Sequence, residues 1–204
     1  MDGDLGTPDR VRAHYGRPNP RSLLKQLDRI DTHARRFIGL SPFVVIASAD
    51  ADGRADATPR GDAPGFVAVL DERTLLIPDR PGNNRVDTML NVTANPHVGL
   101  LFMVPGIVET LRVNGSARLT SDPTLLAPLA ANGKAPSAGL LVSVRDVYFH
   151  CGKALIRADL WNPERYVPCT EVPSLGRILA DQLKDISVEE SERRIADGYV
   201  NRLY

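Results

Sequence analysis

Residues 108–120, VETLRVNGSARLT, alternate in a way that only an extended strand can use. Leu111, Val113, Gly115, Ala117 and Leu119 face one way, and Thr110, Arg112, Asn114, Ser116 and Arg118 face the other. The period of two predicts a long strand with one wet side. If the strand is regular back to its start, Glu109 shares the apolar side with Leu111 and is a buried acid in need of a partner. Other segments follow the same logic. Residues 42–49 are β-rich and apolar, the Asp52-Gly53 pair has the chemistry of a positive-φ turn, and residues 54–60 return as a polar strand. Residues 66–70 and 74–77 form a second hairpin, 97–103 a buried strand, and 139–149 the last strong one, with Asp146 breaking its apolar side as a bulge does. One helix, residues 84–94, is inserted among these hairpins. That pattern predicts a closed antiparallel sheet, a mainly β barrel with peripheral helices, and excludes a parallel α/β fold.

Helices frame the barrel. Residues 1–20 lack apolar periodicity and read as a mobile or loosely docked arm. From Arg21 onward Leu23, Leu27, Ile30, Ala34 and Phe37 keep helical spacing up to Gly39 and Pro42, which predicts one amphipathic helix. A short helix is expected at 122–130, and two more at 174–184 and 188–199. The chain then divides into an arm and helix (1–39), the barrel (40–161) and a helical appendage (162–204).

Lysine plus arginine and aspartate plus glutamate both number 25, which argues against a nucleic-acid or anionic-membrane surface. No apolar run is long enough to span a bilayer, and MDGDLGTPDR lacks the regions of a signal peptide. Cys151 and Cys169 are the only cysteines, out of zinc or CxxC spacing, and read as reduced thiols. The expectation is a cytoplasmic protein without a metal.

One stretch brings charge and backbone together. In residues 74–102 a strand ending at Ile77 meets a turn at 79–82, and Val86, Met89, Leu90 and Thr93 then fall at i, i+3, i+4, i+7. With Asn83 as N-cap, Asn84 and Arg85 sit in a first helical turn whose free N–H groups favour an anion. Arg80 joins them from the turn, giving a socket for a phosphate. The competing reading makes Arg80 and Arg85 surface cations paired with Asp79 and Asp87.

PRGD at 59–62, IPDRPGNNR at 77–85, NPHVGLLF at 95–102 and ETLRVNGSARL at 109–119 together resemble the pyridoxamine 5'-phosphate oxidase-like flavoproteins, which have the FMN-binding split-barrel fold. The resemblance covers about residues 40–161. With CGKALIRADLW at 151–161, it is similar to a branch of FMN-dependent proteins of unassigned substrate. It implies FMN lying across the barrel at a homodimer interface, with Arg80, Asn84 and Arg85 on its phosphate. It further implies that Ile77, Pro78 and Asp79 line the ring and ribityl chain, that Thr110 faces the flavin, and that Arg60 adds a second phosphate contact. The chain departs from the oxidases proper at Arg60-Gly61-Asp62-Ala63-Pro64, where they have an apolar run ending in lysine. Residues 162–204 do not match the oxidases' C-terminal segment either. Pyridoxamine phosphate oxidation is therefore not carried over.

Lys153, Arg157 and Trp161 lie at i, i+4, i+8 and would close the site from the partner subunit; alternatively Trp161 covers a barrel end and the cations are solvated. Either Asp62 holds Arg60 on the phosphate, or the Pro-Arg-Gly-Asp turn pairs with itself. His150 and Cys151 point to opposite faces, so Cys151 reads as structural, and His97 as a strand-end residue. There is no Ser/His/Asp or HExxH arrangement, and no catalytic residue is named. The first functional expectation is an FMN-dependent oxidoreductase acting on a small molecule. The alternatives are a non-catalytic flavin store or sensor, and a split barrel for deazaflavin or haem.

Overall fold

The computed structural model describes residues 5–204, so the first four residues of the expected arm at 1–20 lie outside the described residues. Within the rest of that stretch, α1 (Pro8–Tyr15) has Thr7 as N-cap and proline at its first position, but no buried residue. The single amphipathic helix expected from Arg21 is instead two. A short α2 (Pro20–Leu24) exposes Leu23 and Leu24, and α3 (Thr32–Leu40) buries Ala34, Phe37 and Ile38. Two local events break the run. The Leu27 backbone pairs with Val147, and Asp31 accepts a hydrogen bond from the Ala34 N–H at 2.8 Å, which caps α3.

The strands are β1 (Phe43–Ala49), β2 (Ala55–Gly61), β3 (Ala68–Val69), β4 (Thr74–Pro78), β5 (His97–Met103), β6 (Thr110–Thr120) and β7 (Gly139–His150). All pair antiparallel in one sheet of order β2-β1-β5-β6-β7-β4-β3. The ends of that order, β2 and β3, are not hydrogen-bonded to each other, so the barrel is split and not closed by a ladder. One apolar cluster nevertheless joins Val44 and Ile46 of β1, Leu100 and Phe102 of β5, Val113 of β6, and Leu75 and Ile77 of β4. The sheet therefore curls around a shared core, and α3 closes it with Phe37 and Ile38. The fold is a mainly β split barrel.

Between β4 and β5 runs α4 (Asp87–Ala94); α5 (Pro123–Leu126) continues as a 3-10 turn at Ala127–Leu129, and α6 (Lys153–Ala158), α7 (Leu175–Leu183) and α8 (Val188–Asn201) follow β7. The β6–β7 ladder shifts register between Asn114 and Gly115, with Asp146 opposite Asn114 and Val144 opposite Gly115, which leaves Arg145 as the bulge beside Asp146. Gly115 permits the close approach, since a Cβ there would collide with the Ser143 carbonyl. Glu109 is not the buried acid that regular alternation demands. It is exposed and precedes β6, because the Pro105-Gly106 turn carries the chain outside the ladder until Thr110 pairs with His150. Among the described residues no helix is long and apolar enough to cross a membrane.

Candidate functional site

The chain leaves β4 at Pro78, and Asp79 N–H is held by the Ala138 carbonyl at 2.9 Å. From there the loop is steered by two left-handed residues, Asn84 at φ 58° and Val86 at φ 53°. Asn83 does accept a backbone hydrogen bond, but from Arg85 N–H at 3.1 Å, so it closes a turn and does not cap the helix. Helix α4 therefore starts at Asp87, not at residue 84, and Asn84 and Arg85 belong to the loop. Val86 stands at the N-cap without a side-chain hydrogen bond. The first turn of α4 is thus left without a side-chain cap, and a β-branched residue is held in a conformation that disfavours it.

Strand β2 forms the facing wall. Its alternation half-buries Asp56, Thr58 and Arg60, the side turned to the loop. Between β2, the loop and α4 lies a cleft of about 190 Å³, bordered by Thr58, Arg60, Asp79, Arg80, Arg85 and the first turn of α4. Arg60 meets Asp79 at 3.5 Å, and Arg85 meets Asp87 at 2.8 Å. Burial pushes the Asp79 carboxyl above its usual range, against the pull of Arg60. The hydrogen bond that Arg85 Nε donates to the Asp87 carboxylate holds the guanidinium charged still more firmly. With two cations and a polar helix terminus aimed at it, the cleft can receive a phosphate that competes with these two carboxylates.

Arg80 behaves differently. Its Nε donates to Asp62 at 2.7 Å, its Nη1 donates to the Leu129 carbonyl at 3.0 Å, and its guanidinium carbon lies 5.9 Å from the centre of the Tyr204 ring. Asp62 also accepts from Tyr204 Oη at 2.8 Å and from Ala63 N–H at 2.7 Å. Asp62 thus serves Arg80 and not Arg60, the partner it has in both expected readings, on a phosphate or within the turn. Burial alone would raise the Asp62 carboxyl, but the hydrogen bonds from Ala63, Tyr204 and Arg80 outweigh it and hold it below the usual range. Asp62 and Arg80 are 4 % and 18 % exposed, whereas Arg85 is 73 % exposed. Leu129, Tyr204 and Lys134 are contributors that sequence reasoning misses; no local pattern marks them.

Other expected site residues lie elsewhere. Asn84 borders a second cavity of about 340 Å³ on the far side of the loop, with Arg80, Lys134, Ser137 and Tyr204. Ile77 and Pro78 are buried and do not line the cleft with their side chains, since the outward turn begins only at Asp79. Thr110 is on the outer face of the sheet, bordering an apolar hollow of about 470 Å³ with Val45, Leu101, Met103, His150 and Leu155. Lys153 and Arg157 are exposed on α6. That helix ends at Ala158 with Asp159 left-handed, so Trp161 is not on its stripe; its indole Nε1 donates to the Ile107 carbonyl at 2.9 Å. Cys151 is exposed and not a core residue. One chain therefore gathers Arg60, Asp79, Arg80 and Arg85 at the cleft and puts Thr110 and α6 beside a different hollow. Among the described residues no three His, Cys, Asp or Glu side chains are placed to hold a metal ion.

The profile of the family described as pyridoxamine 5'-phosphate oxidase matches residues 30–151, more than half of the chain. No curated protein matches it. Among solved structures, HupZ of Group A Streptococcus is 15 % identical over 59 % of this chain and 93 % of its own, with a TM-score of 0.50. General stress protein 26 of Bacillus anthracis is 14 % identical over 58 % of this chain and 94 % of its own, with a TM-score of 0.43. HutZ, the haem storage protein from Vibrio cholerae, is 14 % identical over 60 % of this chain and 94 % of its own, with a TM-score of 0.41. At these identities the likeness is one of fold.

Proposed function

The chain belongs to the pyridoxamine 5'-phosphate oxidase family, and from that premise we propose that it is an FMN-dependent oxidoreductase of a small organic molecule, acting as a cytoplasmic homodimer. The observation that carries the reading is the cleft in which Arg60, Arg85 and the uncapped first turn of α4 converge. The donor set suits a terminal monophosphate: two guanidinium groups for charge, N–H groups of a helix terminus for direction, and the Thr58 hydroxyl beside them. Arg60 and Arg85 give up only a long pair and an exposed pair to take the phosphate. Asp79 keeps Arg60 turned into the cleft until then. When bound, FMN supplies the electron chemistry, and the protein's part is to hold and orient it.

What one chain keeps apart supports the homodimer reading. Thr110 borders the apolar hollow with Ala154 and Leu155 of α6, the helix that carries the exposed Lys153 and Arg157, and none of these borders the phosphate cleft. A second copy bringing that face to the cleft would complete a slot with an anionic end and an apolar middle. The two exposed free cysteines fit a reducing compartment. A haem occupant is the second reading, favoured by His150 at the edge of the apolar hollow.

The test is an absorption spectrum of the purified protein, with identification of what heat releases. FMN near one per subunit is the expected outcome. A Soret band would replace flavin by haem, and a colourless protein that also refuses added FMN would overturn the proposal.

A further inference from the structure

Residues 174–204 form a unit that leans on the barrel mainly through its last residue. Helices α7 and α8 pack on one another so closely that a Cβ on Gly176 would collide with Glu192, and Ser174 both caps α7 and donates to Glu192 at 2.6 Å. Between this hairpin and the loop at Pro81–Asn84 lies an open groove of about 780 Å³, so the two are not packed together along their length. Beyond α8 the chain reaches the barrel. Lys134 Nζ donates to the main-chain oxygen of Tyr204 at 3.0 Å, and the Tyr204 phenol donates to Asp62. The Arg80 side chain then has its Nε and Nη1 directions taken, and it borders both the phosphate cleft and the second cavity.

We infer that α7, α8 and Tyr204 form a strap, and that Tyr204, acting through Asp62, is the positioning residue that aims Arg80 at the phosphate of a bound cofactor. The inference rests on the FMN reading for the identity of the phosphate, and on the geometry alone for the link from strap to arginine. Asp62 takes the phenol on one oxygen and the guanidinium on the other, so moving the tyrosine moves the carboxylate that fixes the arginine. Linkage makes the effect reciprocal: if the docked strap improves phosphate binding, phosphate binding tightens the strap.

The experiment combines FMN titration by fluorescence quenching with hydrogen exchange of the full chain. Tyr204→Phe keeps the ring and removes the hydroxyl. It should weaken FMN about tenfold, the worth of one hydrogen bond to a charged group. Paired with Arg80→Ala, or with Arg80→Lys should the alanine variant fail to fold, the losses should not add; paired with Arg85→Ala they should. FMN should also slow exchange in residues 188–204 of the native chain and do so less in Tyr204→Phe. Additive losses with Arg80, or strap exchange indifferent to FMN, would overturn the strap while leaving the cofactor reading intact. If the native chain binds no FMN, the cofactor reading fails by itself. The strap is then decided without ligand: Tyr204→Phe must speed exchange in both 59–63 and 188–204, and unchanged exchange refutes it.

Discussion

Two arginines leave the same loop five residues apart and meet opposite fates. Arg80 turns inward to a carboxylate that is 4 % exposed and is tied by a carbonyl from residue 129 and a ring from residue 204. Arg85 turns outward to an aspartate two residues away and stays 73 % exposed. The residue types and the pairing chemistry are the same, and the surroundings differ. Desolvation makes the first pair expensive to break, because either partner left alone is a buried charge. Water makes the second pair cheap to exchange for a better anion. The inner corner therefore holds its arginine in one place at the edge of the cleft, and the outer pair leaves its arginine ready to exchange partners.

The largest expected effect separates the corners by stability. Asp62→Asn should cost about 3 kcal/mol in denaturant unfolding, since it strands Arg80, while Asp87→Asn should stay within about 0.5 kcal/mol. Equal losses would erase the contrast. Next comes binding: Arg60→Ala and Arg85→Ala should each weaken FMN about tenfold or more with the thermal midpoint unmoved, and Asp87→Asn should tighten it by freeing Arg85.

A third contrast is in pH. The depressed Asp62 carboxyl contributes stability that is present above the ordinary carboxylate pKa and is lost as pH falls through its lower folded value. The raised Asp79 carboxyl works the other way: its contribution is full in acid and is lost as pH rises through the folded value. Asp79→Asn should thus be more stable than the native protein at pH 7, with the advantage closing in acid. The Asp62→Asn deficit should persist at pH 7 and shrink only in stronger acid. The smallest effect concerns the backbone. Val86→Gly should gain about 0.5 to 1 kcal/mol in denaturant unfolding by relieving a left-handed β-branched residue.

Much of the barrel is legible in the chain because each strand carries its own alternation. The wet and dry sides of residues 111–118, the positive-φ turn at Gly53 and the bulge beside Asp146 can all be read locally, whereas Leu119, expected on the dry side, is exposed. The failures are equally local in cause. Asn83 has an N-cap's chemistry but spends it on a turn, because two left-handed residues follow; the helical spacing from Leu23 to Phe37 is cut when Leu27 is drawn into a bridge with Val147. Glu109 obeys the alternation on paper and escapes burial because the ladder has not yet begun.

At the candidate site, the sequence alone places two cations and a helix start after the fourth strand, since residues 77–94 carry the strand end, the turn with Arg80 and Arg85, and the helix within one short span. Which arginine is fixed in place and which keeps an exchangeable partner was decided only by tertiary contact. Asp62, Leu129 and Tyr204 reach Arg80 from three distant parts of the chain. Burial, not residue type, sets the cost of a charge, and burial exists only once the chain has folded.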